Sequence, residues 1–156
     1  MWPPPALLAL KKRGGQQSQA LGRSRGGFST KIHISVDALG NPLRFLVTGG
    51  QCHDSTQTKE VMVVNLEFQR VLADRAYDSD AFLEYIQEPN ADAVIPPRSN
   101  RKGRRAYDRH LYKERHLIEC FINKIKQFRR IFSRYDKLAS RYLGFLYFAG
   151  ALIWLR

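Results

Sequence analysis

The sequence predicts an α/β fold in which a mixed sheet is flanked by helices. Two short segments alternate apolar and polar residues, as half-buried strands do, and a Gly-Asn turn signal lies between them. Further along, brief apolar runs that suit buried strands alternate with segments of helical periodicity. With 156 residues and 44% hydrophobic content, the chain is long enough to bury one core.

The first 27 residues differ from the rest in composition. A Pro run is followed by many Gly, Gln, Ser and Arg residues, and apolar periodicity is missing. We therefore expect a disordered or irregular basic segment over residues 1–27 and a folded domain over residues 28–156. The stretch A-L-L-A-L is too short for the core of a secretory signal, and Cys52 and Cys120 show no paired spacing, so we expect free thiols in a reducing cytoplasm.

The folded domain is predicted to begin with a β-hairpin. Side chains alternate through F-S-T-K-I-H-I-S-V, which predicts a strand over Phe28–Val36. A second strand is expected over Leu43–Val47, antiparallel to the first, because turn residues around Leu39–Asn41 separate them. Asp37 precedes this turn, a place where an Asp side chain accepts hydrogen bonds from nearby backbone amides.

The middle of the chain alternates between helix and strand patterns. After the loop T-G-G-Q-C-H-D, Ser55 or Thr56 can cap a helix that runs to about Leu66. A buried strand is then expected over Val71–Ala73, because the short apolar run V-L-A suits one.

A second helix and a third short strand follow. The helix is expected over Ala81–Gln87, and Asp78, Ser79 or Asp80 can cap it. The strand is expected over Ala93–Ile95, because two prolines end the apolar run there.

Two longer helices are predicted for the C-terminal third of the chain. One follows the basic loop Arg98–Arg109 and is amphipathic, with an apolar stripe expected to face the core. The stripe consists of Leu117, Ile118, Phe121, Ile125, Phe128 and Phe132. The last helix, Leu138–Leu155, is nearly all apolar, yet its apolar run is shorter than the ~20 residues that span a bilayer, so we expect a buried core helix.

A polar ridge is predicted on the amphipathic helix, opposite its apolar stripe. Tyr112, Arg115, Glu119 and Lys126 are spaced by three, four and seven residues, which places them within an arc of roughly 60° on an α-helix. A carboxylate can hold a divalent metal and the cations beside it can hold phosphates. Upstream, Asp74 ends the strand V-L-A, so an acid at a strand end and an acid on a later helix form the skeleton of a metal-dependent nuclease site.

The charge of the chain is distributed unevenly. The net charge is +12, but residues 32–97 hold ten acids against four cations, and residues 98–137 hold fourteen cations against four acids. This pattern favours a metal-binding centre beside a track for a polyanion. The cations that we expect to contact DNA, in addition to Arg115 and Lys126 with Tyr112, are Arg98, Arg101, Lys102, Arg104 and Arg105.

Three blocks carry a family resemblance. The spacing Y-x2-R-x3-E-x6-K, the run L-A-D-R-A-Y-D-S-D and the run G-R-S-R-G-G-F-S-T-K-I-H resemble those of DDE-type insertion-sequence transposases, specifically insertion-sequence group five, from about Ala20 to Arg156. The resemblance implies a ribonuclease-H-like catalytic domain that cuts DNA and joins strands with Mg²⁺ or Mn²⁺, at a two-metal site if a triad of acids is complete. It also implies that Asp74 is the second catalytic, metal-binding acid and Glu119 the third.

The resemblance further implies partners and a location. The DNA partners would be the double-stranded ends of the insertion element and its double-stranded target. The protein would be cytoplasmic and associated with the nucleoid. A homo-oligomer or a transposase fragment from an upstream reading frame are the expected protein partners, and no membrane is expected.

The first acid of the family is not found where it is expected. In such transposases it lies on a strand upstream of G-R-S-R-G-G, but here no Asp or Glu precedes Asp37. We therefore expect a ribonuclease-H-like sheet that lacks its first strand, in a truncated or frameshifted copy that is inactive alone. Asp74 and Glu119 are expected to bring their carboxylates within roughly 4–8 Å, as shared metal ligands require.

Several residues have simpler interpretations. Asp74 could act only as a helix cap, and Glu119 could merely pair with Arg115 four residues away. His53 and Asp54 are adjacent in a loop, and adjacent side chains seldom converge on one metal, so we expect His53 to be a loop residue near the site. Two other functions stay open: a non-catalytic DNA-binding or regulatory fragment of a transposase, and a ribonuclease-H-like nuclease of another kind.

Overall fold

The computed structural model of the chain describes residues 19–62, 68–88, 90–103 and 105–155. Within these ranges the fold combines helices and strands, which confirms the predicted α/β class, but the strands form two separate sheets and not the predicted single mixed sheet. An antiparallel sheet has the order β1 (Gly22–Ser24), β2 (Gly27–Val36) and β3 (Pro42–Gly49). Strands β4 (Arg70–Leu72) and β5 (Asp92–Val94) form a parallel pair.

The predicted hairpin is confirmed. Strands β2 and β3 pair in antiparallel register from Thr30 opposite Gly49 onward. In the turn, one carboxylate oxygen of Asp37 accepts hydrogen bonds from the backbone amides of Leu39 and Asn41, both at 2.8 Å. Gly40 adopts a φ of +83°, which a glycine reaches without the steric cost of a side chain. Asp37 is therefore a turn-forming residue.

The expected irregular segment over residues 1–27 is wrong in its last part. Strand β1 pairs with the start of β2, with Gly22 opposite Ser29. The two are joined through Gly27, whose φ is +105°, and Ser24 Oγ donates a hydrogen bond to the Gly27 carbonyl at 3.0 Å. The glycine turn therefore allows β1 to pair with β2, although the sequence of β1 does not alternate between apolar and polar residues. Residues 1–18, the remainder of that prediction, lie outside the described residues.

The helices of the middle segment are shorter than expected or differently capped. A 3₁₀ turn over Asp54–Thr56 leads into α1 (Thr58–Val61), and Met62 is already extended; the predicted continuation to Leu66 lies outside the described residues. Helix α2 (Asp80–Gln87) matches its prediction to within one residue. Its N-cap position is held by Ser79, without a side-chain capping bond.

Asp78 does not cap α2, contrary to expectation. Its side chain is fully buried and accepts a hydrogen bond from the Arg98 amide at 2.8 Å and from Arg101 Nε at 3.0 Å. Asp80 likewise pairs with Arg101, which draws both acids toward the segment after β5.

The long amphipathic helix is divided into three parts. A 3₁₀ segment, Leu111–Arg115, precedes α3 (His116–Lys126), and Phe128 leaves the helical conformation before α4 (Arg129–Phe132). The break changes which side faces inward: Ile131 is buried, whereas Phe132 is 59% exposed. The predicted stripe is therefore correct at Phe121 and Ile125 and wrong at Phe132.

The last helix, α5 (Ala139–Trp154), packs on the core with one face only. Tyr142, Leu146 and Ala149 are buried, but Phe148 is 63% and Trp154 55% exposed. The expectation of a fully buried helix is therefore wrong for its outer face. In the described part of the chain no helix combines the length and the apolar character that crossing a bilayer requires.

Two separate hydrophobic clusters stabilise the fold. The first lies between the hairpin and the C-terminal helices and contains Phe45, Phe121, Ile125, Ile131, Tyr142, Leu146 and Ala149. The second lies around β4 and α2 and contains Val71, Phe82, Leu83, Ile86, Ala91 and Ile95.

We predict that Asp37→Ala lowers the free energy of unfolding by about 1 kcal/mol, because two turn amides lose a charged acceptor. Urea denaturation measures the change. Asp136→Ala is the matched control, since Asp136 makes no side-chain hydrogen bond among the described residues. Equal stability of the two variants would show that the Asp37 bonds do not stabilise the hairpin.

Candidate functional site

Asp74 lies just beyond the carboxyl end of β4. It is the N-cap of a 3₁₀ turn over Arg75–Tyr77, and its Oδ1 accepts a hydrogen bond from the Ala76 amide at 2.9 Å. Its other oxygen, Oδ2, receives no hydrogen bond from the described residues. The capping interpretation is thus correct for one oxygen, while the second is available to a ligand.

A cavity of about 630 Å³ opens beside Asp74. Its walls come from β2, from the loop after β3, from the Asp74 turn and from the segment after β5; they include Lys31, His53, Asp54, Asp74, Arg98 and Asn100. Lys31 Nζ lies 3.1 Å from Asp54 Oδ1 and donates to the Cys52 carbonyl at 2.7 Å. Two carboxylates and at least two cations therefore line one space.

Asp54 is the site residue that the sequence interpretation missed. His53 is predicted to be a loop residue near the site, and it lines the same cavity as Asp74, whereas no such position is predicted for Asp54, which lines that cavity too. The H-D dipeptide itself was visible in the sequence. Its convergence with Asp74 depends on how the turn over Asp54–Thr56 packs against the turn over Arg75–Tyr77, which local pattern does not reveal.

Glu119 lies in the first turn of α3 and forms an ion pair with Arg115. Its side chain is 54% exposed, and it is not among the residues that line the cavity. Burial lowers the pKa of Arg115, but the hydrogen bond to Glu119 and the nearby negative charges, including that of Asp74, raise it overall. Arg115 is thus bonded to one predicted acid and lies within the field of the other.

The predicted polar ridge is only partly formed. Tyr112 lies in the 3₁₀ segment before α3, so the α-helical spacing does not apply to it, but Arg115 stacks over its ring with 5.7 Å to the centroid. Lys126 lies at the other end of α3, where its Nζ donates to Asn123 Oδ1 at 3.0 Å. The structure thus brings Tyr112, Arg115 and Glu119 together, and Lys126 lies about two turns along the same helix from Glu119, as the predicted spacing requires.

Three arginines of the basic loop are held by partners within the chain. Arg98 Nη2 donates to the Ala76 carbonyl at 2.7 Å, and Arg105 Nη2 donates to the Ile95 carbonyl at 2.8 Å. Arg101 bridges the carboxylates of Asp78 and Asp80. These guanidinium groups shape the loop, although each of them is still partly exposed.

The remaining two cations of this loop differ from those arginines. Lys102 is exposed and forms no ion pair with any described residue. Arg104, which was predicted to contact DNA, lies outside the described residues.

A buried polar pair lies behind the Asp74 turn. His33 of β2 is only 2% exposed; its Nδ1 lies 3.0 Å from the Tyr77 hydroxyl and its Nε2 lies 3.0 Å from Thr48 Oγ1. Burial lowers the pKa of His33, which favours the neutral imidazole. Burial, together with the charges of Asp54 and Asp74, raises the pKa of Tyr77 to about 12, so the phenol keeps its proton.

The donor types at this site suit a hard divalent cation. Mg²⁺ prefers carboxylate oxygens and retains several waters, so one or two carboxylates can suffice to bind it. Within the described ranges, however, no three His, Cys, Asp or Glu side chains converge closely enough to form a metal cluster. The arrangement therefore provides acids of the right chemistry but not a closed ligand set.

We predict that Asp78→Ala lowers the free energy of unfolding by about 3 kcal/mol, because it leaves Arg101 and the Arg98 amide without a buried acceptor. Thermal and urea denaturation measure the loss. Asp80→Ala is the control, since its exposed pair with the same arginine contributes less than about 1 kcal/mol. Similar losses in both variants would contradict a special role for the buried carboxylate.

Comparisons with known proteins agree with one another. The sequence matches the family model of the transposase DDE domain over residues 8–154. It is 41% identical over 129 residues to a putative transposase for insertion sequence element IS6501 of Brucella ovis, an alignment that covers 82% of this chain and 99% of that protein. It is 28% identical over 169 residues to a putative transposase for insertion sequence element IS402 of Burkholderia cepacia, an alignment that covers 96% of this chain and 78% of that protein. No solved structure matches the chain significantly.

Proposed function

Since this chain belongs to the DDE-type insertion-sequence transposases, we propose that it engages double-stranded DNA through a ribonuclease-H-like site built on Asp74 and Glu119. The observation that carries this proposal is the position of Asp74. It follows a parallel strand directly and faces a cavity lined by cations, and that strand contacts the 3₁₀ segment carrying Arg115, the partner of Glu119. A separation of roughly 4–8 Å between the two carboxylates stays a prediction.

The strand arrangement supports the ribonuclease-H-like proposal. An antiparallel hairpin is followed by a parallel pair, β4 and β5, with α2 as the crossover. Among the described residues, β4 pairs only with β5, and β2 pairs with β1 only at its beginning. One further strand between these two open edges would join the two sheets, and in the proposed fold that strand carries the first acid.

Each predicted acid has a defined task in this proposal. Asp74 and Glu119 would hold a divalent metal, which supplies activation of the attacking hydroxyl and stabilisation of the leaving oxygen in phosphodiester cleavage and strand transfer. Asp74 keeps one oxygen fixed by the Ala76 amide and presents the other. Arg115 orients the Glu119 carboxylate and offers its remaining donors to a phosphate.

The basic residues would contribute to DNA binding in two ways, some by contacting phosphates and others by holding the basic loop in shape. Lys102 and Lys126 are exposed cations that can follow the DNA backbone, as phosphate contacts in general position the duplex without reading its sequence. The partly exposed guanidinium groups of Arg98, Arg101 and Arg105 primarily hold the loop in shape. Their contribution to DNA binding is therefore indirect.

We further propose that the isolated chain does not cleave DNA, because only two acids of a three-acid site can be assigned. Asp37, the first candidate to substitute for the missing acid, is occupied by its turn amides. Asp54 is the better candidate, since it lines the cavity with Asp74, although Lys31 neutralises it there. The second function that fits is a DNA-binding or regulatory fragment that acts on a complete transposase.

We predict salt-sensitive DNA binding with little sequence preference. Neutralising phosphates releases counterions, so the logarithm of affinity should fall linearly with the logarithm of salt, by about 0.9 per phosphate contact. Titration of a fluorescent duplex at several salt concentrations measures this slope.

Single substitutions test which cations take part. Lys102→Ala and Lys126→Ala should each reduce the slope by about 1, whereas Lys59→Ala, whose ammonium lies over the Tyr85 ring, should leave it unchanged. A slope that no lysine substitution alters would contradict the proposed DNA track.

We predict that the purified chain neither nicks nor joins a supercoiled plasmid bearing its element ends, with Mg²⁺ or with Mn²⁺. Adding an N-terminal fragment that carries the Asp-bearing strand should produce activity, and Asp74→Ala should abolish it. Metal-dependent nicking by the chain alone would overturn the prediction. Loss of that nicking in Asp54→Ala, but not in Asp37→Ala, would then identify Asp54 as the acid that completes the site.

A further inference from the structure

The two predicted acids belong to different packing units. Glu119 is carried by α3, whose Phe121 packs with Phe45 in the first hydrophobic cluster. Asp74 follows β4, whose Val71 belongs to the second cluster. No described side chain is shared by the two clusters or by the partly buried residues around them. The position of Asp74 relative to Glu119 therefore depends on the contacts that join the two clusters.

One hydrogen bond joins these units near Asp74. Among the described residues, the bond between His33 Nδ1 and the Tyr77 hydroxyl is the only hydrogen bond between residues 19–62 and residues 68–103. The two ring planes lie at 83° to each other. Across this boundary Met62, just after α1, packs on the second cluster, and Lys59 lies over Tyr85. The 3₁₀ turn over Asp54–Thr56 also lies against the Arg75–Tyr77 turn, but without a hydrogen bond among the described residues.

Both ends of this bond are anchored. The second nitrogen of His33 is bonded to Thr48 Oγ1 of β3, so the ring is fixed within the hairpin. Tyr77 ends the turn that Asp74 begins, and its amide donates to the Asp74 carbonyl at 2.9 Å. Helix α3 in turn packs against the same hairpin, where the ring centroids of Phe121 and Phe45 lie 5.8 Å apart. A continuous line of contacts therefore runs from Asp74 to the helix that carries Glu119.

The burial of His33 is itself informative. A buried imidazole is costly unless its nitrogens are hydrogen-bonded, and an apolar side chain would fill the same space without that requirement. Here both nitrogens have a partner, and one partner lies on each packing unit. The position therefore uses the directional bonding of the ring and not only its volume.

We propose that His33 is a positioning residue that, through Tyr77, sets the Asp74 turn relative to the helix bearing Glu119. The functional meaning of this inference rests on the proposed function, in which the two acids share one site. His33 itself does not touch the cavity, so its effect on the site passes entirely through the Tyr77 hydroxyl.

A distance measurement between the two units tests the inference. In a Cys52→Ser background, one spin label on the exposed Cys120 reports α3, and a second on Glu84→Cys reports the exposed face of α2. Double electron–electron resonance then gives the distribution of distances between the labels. Tyr77→Phe keeps the aromatic ring and removes only the hydroxyl, so it should broaden or shift this distribution.

Tyr85→Phe is the matched control. It also removes a phenol hydroxyl, but that hydroxyl makes no hydrogen bond with the described residues, and the ring beneath Lys59 is kept. Its distribution should equal that of the parent protein. A role in folding alone would lower the melting temperature of Tyr77→Phe without changing the distribution measured well below melting.

A second variant tests whether the change results from loss of the bond or from local misfolding at a buried position. His33→Gln should reproduce the change seen in Tyr77→Phe, and the double variant should show no further change, because both substitutions remove the same bond. Unchanged distributions in Tyr77→Phe would overturn the inference. Failure of the protein to bind DNA would instead count against the proposed function, and the distance comparison would still decide the role of His33.

Discussion

The buried carboxylate of Asp78 is the constraint on which the candidate site depends. A charge without solvent requires compensation, and here the backbone amide of Arg98 and the guanidinium of Arg101 supply it. This requirement folds the segment after β5 back over the Asp74 turn. Once there, the Arg98 side chain donates hydrogen bonds to the carbonyls of Arg75 and Ala76, so Arg98 also holds the turn.

This constraint also changes what the basic composition means. Fourteen cations between residues 98 and 137 indicate a strongly attractive surface for a polyanion when they are only counted. In the folded chain, Arg101 is shared between two acids, and Arg115 is paired with Glu119. The field that DNA meets is therefore weaker than the count suggests and is concentrated on exposed cations without an ion pair among the described residues, such as Lys102, Arg109 and Arg129.

The parts of the fold that the sequence predicted correctly are those that local chemistry determines. The hairpin follows from side-chain alternation, and Asp37 and Gly40 specify its turn without distant partners. The break at Phe128 was missed, because a continuous helical pattern passes through it and only tertiary packing favours Ile131 over Phe132. Asp54 and Asp78 were misjudged for a related reason, since convergence and burial arise between segments that are distant in sequence.

The separation of the two hydrophobic clusters explains why the site is the least predictable part. A site built within one core has its geometry determined by packing, whereas Asp74 and Glu119 lie on two cores that share no described side chain. Apolar contact through Met62 brings these units together but is not directional. Directionality must then come from polar contacts such as the one between His33 and Tyr77, and burial makes such a bond costly to break because its partners cannot turn to water. A small number of buried hydrogen bonds can therefore determine the geometry of a site whose acids are carried by independently packed elements.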